Sequence, residues 1–185
     1  MQREVVLTGI GGQGVQLAAK TLAMAATAEG RQVMMSSHYG GEMRGGQTEA
    51  SVIVSDTRLR CVPILESTWS AYVMHQRYWP GVLERLRPGG IAVVNTSVTG
   101  ELDAPDVEVV GVPAGELASR LGSAMVAGFV LLGAYAVATG MAGVESLVEA
   151  MKELVPPYRA QHVAMNEAAL RAGAEAMSPA AGAAS

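Results

Sequence analysis

Glycines at positions 9, 11, 12 and 14 follow directly on the apolar run Val5-Val6-Leu7, and Val15 to Ala28, rich in Ala, Leu and Met, comes straight after them. A short β-branched apolar run reads as a buried strand. The stretch behind the glycines places Val15, Ala18, Ala19, Leu22 and Ala26 at helical spacing. Strand, glycine turn and helix make the first half of a βαβ unit, which commits the chain to an α/β fold. The turn requires positive φ and uncovered backbone N–H groups at a helix N-terminus, and glycine supplies both.

Gly9, Gly11 and Gly14 satisfy the dinucleotide fingerprint G-x-G-x-x-G. Its confirming acidic residue belongs at the end of the second strand, about 20 residues on. That strand reads Arg31 to Ser37 and runs out in Met35, Ser36, Ser37 and His38, while Glu29 precedes it beside Gly30. A carboxylate to grip a ribose is missing. Three readings of the turn stay open: a dinucleotide, close helix–strand packing alone, or an anionic ligand or partner subunit.

A second glycine-rich stretch, Tyr39-Gly40-Gly41-Glu42-Met43-Arg44-Gly45-Gly46, follows the second strand. Loops that follow neighbouring parallel strands emerge at one carboxyl edge of the sheet. The Gly9–Gly14 turn and the Tyr39–Gly46 loop are therefore expected to face each other across one crevice. Glu42 and Arg44 read either as a loop ion pair or as a guanidinium offered to a phosphate, carboxylate or partner residue. Tyr39 can stack or donate a hydrogen bond. The candidate rim comprises Gly9, Gly11, Gly12, Gln13, Gly14, Tyr39, Glu42, Arg44, Gly45 and Gly46.

Half of the 185 residues are apolar, 16% are charged and 4% aromatic, so the core is built from Val, Leu, Ala and Met. So little surface charge suggests coverage by other chains. The net charge of −4 and the absence of any basic run exclude nucleic acid as a natural partner. Cys61, the single cysteine, reads as a buried core residue of a cytoplasmic protein, and one thiol cannot hold an iron–sulfur cluster or a structural zinc. With only His38, His75 and His162 to pair with it, a catalytic cysteine is disfavoured. The N-terminus shows no signal-peptide pattern. No charge occurs between Arg120 and Glu145, but five glycines and scattered Ser, Thr and Tyr interrupt that stretch, which reads as a helix buried inside the protein and not as a membrane span.

Along the remainder, Gln47 to Val54 reads as a third strand and Leu59 to Val62 as its return, giving a β-hairpin insertion. Ser67 to Tyr78 looks helical, with Trp69, Tyr72, Val73 and Gln76 on related faces, and Pro80 opens a helix to Leu86. Pro88-Gly89-Gly90 turns into strand Ile91 to Asn95, and Val107 to Val112 forms another strand. Helices are expected over Gly115 to Leu121, from about Ala124 to Thr139, over Val144 to Leu154, and from Tyr158 to Ala172 after the Pro156-Pro157 stop. The prediction is one Rossmann-like domain over residues 1–173, a mainly parallel sheet flanked by helices, and a disordered low-complexity tail over 174–185.

No nucleophile elbow, H-E-x-x-H, Walker lysine or thiamine-binding G-D-G motif is present, and the carboxylates are scattered. No catalytic residue and no metal ligand is assigned. A noncatalytic subunit fits better than a self-sufficient enzyme.

Gly9-Ile10-Gly11-Gly12-Gln13-Gly14, Tyr39 through Gly46, and Leu86-Arg87-Pro88-Gly89-Gly90 together resemble the γ subunit of the 2-oxoacid:ferredoxin oxidoreductases, the family of pyruvate, 2-ketoisovalerate, 2-oxoglutarate and indolepyruvate oxidoreductases. The resemblance covers about residues 3 to 172. It implies a complex that decarboxylates a 2-oxoacid on thiamine diphosphate with Mg, passes electrons through iron–sulfur clusters to ferredoxin, and releases an acyl-CoA. Those cofactors would sit on partner subunits, with ferredoxin an indirect partner of this chain. The rim residues would face a partner or CoA. Two departures stand out. Ser67-Thr68-Trp69 replaces a commonly acidic position, and Met125-Val126-Ala127 replaces an asparagine ahead of the retained Leu132-Gly133-Ala134. A stand-alone NAD or flavin oxidoreductase and a purely structural subunit without ligand are the alternatives.

Overall fold

The computed structural model describes residues 1–39, 46–60 and 65–178. Its strands are β1 (Gln2–Ile10), β2 (Gln32–Tyr39), β3 (Gln47–Ser55), β4 (Thr68–Val73), β5 (Leu86–Asn95) and β6 (Val107–Val112). The helices are α1 (Val15–Ala28), α2 (Trp79–Leu83), α3 (Thr96–Thr99), α4 (Ala114–Arg120), α5 (Ala127–Thr139), α6 (Val144–Leu154) and α7 (Val163–Ala176). One six-stranded sheet has the order β2-β3-β1-β4-β5-β6. β1, β4, β5 and β6 pair in parallel, and β3 runs against both β1 and β2, so every strand but β3 points the same way.

The two faces of the sheet are covered unequally. Val5, Leu7, Ala50, Val52, Tyr72 and Val93 point to the face where α1, α4, α5, α6 and α7 pack, and this holds the larger core. Val6, Ala71, Val73, Ala92 and Val94 point to the other face, against Trp79, Val82 and Leu86. α5 is buried almost all round: Phe129 to Ala136 are all inaccessible or nearly so. That is the uncharged stretch read as a buried helix, and no helix among the described residues is long and apolar enough to cross a membrane.

The structure corrects several expectations. Ser67 to Tyr78 is not a helix: Thr68–Val73 is the buried strand β4, and only Gln76–Tyr78 makes a 3-10 turn. A strand covered on both faces has no alternation to display, and its aromatic residues fell by coincidence at helical spacing. β3 does not fold back on Leu59 to Val62. It pairs with β2 over Gln32–Tyr39 and with β1 over its whole length, so β2 and β3 form the antiparallel ribbon. Leu59 and Arg60 carry no strand, and Cys61 and Val62 lie outside the described residues, so the buried-cysteine expectation does too. The segment after Pro156-Pro157 starts as a 3-10 turn over Pro157–His162 before α7, and α7 continues to Ala176, beyond the expected helix end at Ala172. Residues 179–185 lie outside the described residues.

Candidate functional site

The glycine turn closes on itself. Gln13 folds its side chain back so that the Ile10 N–H donates to Oε1 at 2.9 Å, while Nε2 reaches the Met74 carbonyl at 3.5 Å. Gly12 and Gly14 have φ of 98° and 77°, the left-handed region that favours glycine. Gly9 is needed for a different reason: a Cβ there would stand 2.7 Å from Gln13 Oε1 and 2.9 Å from Val15 Cγ2.

The second loop arrives at the same rim. The Gly11 N–H donates to the Gly46 carbonyl at 3.0 Å, and Ile10 is the register partner of Gln47. β2 and β1 end at one edge and β3 starts there, so chain direction forces the juxtaposition. Tyr39 ends β2 opposite Thr48. Glu42, Arg44 and Gly45 lie outside the described residues. Gln16, one turn into α1, donates to the Glu49 carbonyl at 2.8 Å and ties the helix to β3.

Sequence reading missed the third wall of this rim. α5 begins against the turn: a Cβ on Gly128 would sit 2.9 Å from the Gln13 carbonyl oxygen, and Tyr72 donates to the Gly128 carbonyl at 2.9 Å. A cavity of about 40 Å³ remains between Gly14, Leu17, Ala18, Met125, Gly128 and Phe129. Burial pushes the Tyr72 hydroxyl far above its ordinary range, so it acts as a fixed donor and not as an acid. The signal in the sequence was one of two glycines in an apolar helix, which without its neighbour reads only as a weak spot.

Elsewhere the polar groups are structural. Glu29 accepts from the Gly143 N–H at 2.6 Å and pairs with Arg31, which explains why it is not at a ribose position. Glu4 pairs with Arg87, and Glu49 with Arg85 at 2.8 Å. Asn95 and Ser97 accept from the N–H groups of Gly115 and Glu116, capping α4. Ser70, Tyr135 and Met141 form a buried polar contact, with the two hydroxyls 2.7 Å apart. Among the described residues, no three His, Cys, Asp or Glu side chains converge as a metal site would require.

An α/β scaffold with an internally bonded glycine turn is what comparison with known proteins places in a family. Residues 4–176 match the family model for pyruvate ferredoxin/flavodoxin oxidoreductase. The chain belongs to this family. It is 32% identical over 165 residues to the 2-oxoglutarate synthase subunit KorC of Methanothermobacter thermautotrophicus, covering 85% of this chain and 87% of that one. The crystal structure of a keto/oxoacid ferredoxin oxidoreductase γ subunit from Geobacter sulfurreducens superposes with a TM-score of 0.77 at 27% identity, covering 95% of this chain and 98% of that one. The 2-oxoglutarate:ferredoxin oxidoreductase of Magnetococcus marinus, solved with 2-oxoglutarate, coenzyme A and succinyl-CoA bound, shares the fold with a TM-score of 0.85 at 19% identity, over 95% of this chain and 31% of that longer one. Within the family this chain takes the place of the γ subunit of a 2-oxoacid:ferredoxin oxidoreductase.

Proposed function

We propose that this γ subunit contributes docking and positioning, and not the reacting cofactor, to a cytoplasmic thiamine-dependent complex in which a 2-oxoacid, CoA and oxidised ferredoxin give acyl-CoA, CO₂ and reduced ferredoxin. The supporting observation is that its glycine rim directs the Ile10 and Gly11 donors inward, to Gln13 and Gly46. With the Ile10 and Gly11 N–H groups already bonded inside the protein, the turn has fewer free donors for a dinucleotide pyrophosphate than the fingerprint supplies.

The donor set does not fit the complex's metal groups. An iron–sulfur cluster takes several thiolates, and the chain has Cys61 alone. Thiamine diphosphate is held through Mg, and the described residues offer no convergent carboxylates for one. Both belong on partner chains in this reading, and no step of the reaction runs through residues of this one.

What remains for the rim is the partner or the acyl carrier. Gly9, Gly11, Gly12, Gln13, Gly14, Tyr39, Glu42, Arg44, Gly45 and Gly46 form the candidate edge. Small residues let a neighbouring backbone or a CoA phosphate come close, and Arg44 carries the forked donor suited to such a phosphate. Purified alone, the chain should show no CoA-dependent reduction of a viologen dye by 2-oxoacids, whereas the assembled complex should. In the complex, Arg44→Ala should raise the KM for CoA or reduce retention of this subunit. Turnover by the isolated chain, a bound flavin, or quenching of NADPH fluorescence would overturn the proposal, and an Arg44→Ala complex like the wild type would remove Arg44 from it.

A further inference from the structure

A second concavity adjoins the rim and shares Leu17, Met125 and Phe129 with the small cavity beside Gly14. It encloses about 450 Å³ between the start of α1, the start of α5 and the link from α6 to α7. Its floor is apolar, from Leu17, Val126, Phe129, Leu154 and Met165. Asn166 is on its wall, only 7% exposed, and the described residues offer its carboxamide no hydrogen-bond partner. Its side chain is packed into the wall while the amide tip opens on the groove, so donor and acceptor are both free for whatever fills it.

The mouth has the composition of an interface. Met125 is 86% exposed and Tyr158 is 73% exposed, unusual for side chains of that size. Arg159 stacks on Tyr158, its guanidinium carbon 5.6 Å from the ring centre, and no carboxylate lines the groove beside Arg159 and His162. Methionine, tyrosine and arginine are the types enriched where proteins meet, and an unbalanced guanidinium selects an acidic neighbour.

We propose that this groove seats an extended segment of a partner subunit that places an apolar side chain on the Leu17–Phe129–Met165 floor, a backbone amide against Asn166, and a neighbouring Asp or Glu at Arg159. The inference rests on the reading of this chain as a docking subunit, and names the surface it docks with. The floor is continuous with the small cavity beside Gly14 through Leu17, Met125 and Phe129, so the segment would run along the glycine rim.

The test uses the complex co-expressed with its companion subunits and purified through a tag on this chain. Met125→Asp and Arg159→Glu should each lower the amount of partner retained about tenfold, with the melting temperature of the isolated chain unchanged, while Val98→Asp on a distant exposed site should retain it. Asn166→Leu is the diagnostic variant: it should leave the isolated chain as stable or more stable, yet weaken assembly. A photo-cross-linking residue at position 125 should mark a partner peptide carrying an apolar residue beside Asp or Glu. Wild-type retention by both charge variants, or a cross-linked peptide that is basic, overturns the groove proposal alone. Failure of the wild-type chain to retain any companion overturns the docking reading itself.

Discussion

Glycines do two different jobs in this molecule, at the rim turn and at the crossing of α5 with α7. At the turn, Gly12 and Gly14 take left-handed backbone angles, and a Cβ on either would meet nothing within 4 Å. At the crossing, Gly133 and Gly173 have ordinary helical angles, but a Cβ on Gly133 would run into the Leu170 carbonyl and one on Gly173 into the Val130 carbonyl. The first pair solves a problem of chain direction and the second a problem of distance between two rigid backbones. A flexible side chain can move aside, whereas a carbonyl held in a helix cannot, so the crossing should tolerate change far less than the turn.

The sharpest break of that comparison comes from Gly133→Ala and Gly173→Ala. Either should cost about 3 kcal/mol or more, the upper end of overpacking penalties, and leave a chain that melts early or not cooperatively by circular dichroism. Gly9→Ala sits between the two cases, because Gln13 and Val15 can yield but Met74 Cβ stands 3.0 Å away. It should cost about 2 kcal/mol in urea denaturation and shift the chemical environment of the Gln13 amide. Gly12→Ala should cost only about 1–2 kcal/mol, from backbone angle alone, with the fold intact. If Gly12→Ala proves costlier than Gly133→Ala, the distinction between the two regions fails.

The smallest effect is electrostatic. Arg171 hydrogen-bonds to Glu145 at 2.6 Å and to Glu167 at 2.8 Å, pinning α7 to α6. Those bonds hold both carboxyls below their ordinary value of 4.5. Because the folded-state values are lowered, the stabilisation is fully present above 4.5 and is lost as the pH falls through the folded values. Arg171→Ala should therefore lower the melting temperature slightly at neutrality and leave it unchanged at the acid end, flattening the acid limb of melting temperature against pH. High salt should shrink the difference, since these groups are exposed.

The legible parts of the chain were those where one local rule dominates. Val15–Ala28, Val107–Val112 and Val144–Leu154 emerged with their observed limits, because a helical stripe or a β-branched run bounded by glycine or proline leaves little choice. β4 was misread because a central parallel strand is apolar on both faces, so Trp69, Tyr72 and Val73 carry no periodicity of their own. The partner of β3 was misread because a turn at Asp56-Thr57 looks locally sufficient for a hairpin, while its pairing with β1 joins residues as remote in the chain as Gln2 and Ser55. That Gly46 reaches the edge where the first glycine turn lies was inferable from strand direction, but the groove holding Asn166 was not. Its walls come from residues 17, 123–129 and 154–166, and nothing in any one segment announces the others.

The residues alone determined the strand–turn–helix opening, the α/β class and the family, because glycine positions, apolar period and short motifs are local properties. Only the tertiary structure decided that the Ile10 and Gly11 donors turn inward to Gln13 and Gly46, that Gly128 and Gly133 are there for close approach, and that the Asn166 amide faces a groove beside an exposed methionine. Those are matters of distance between segments remote in the chain, and distance is set by how the helices pack on the sheet.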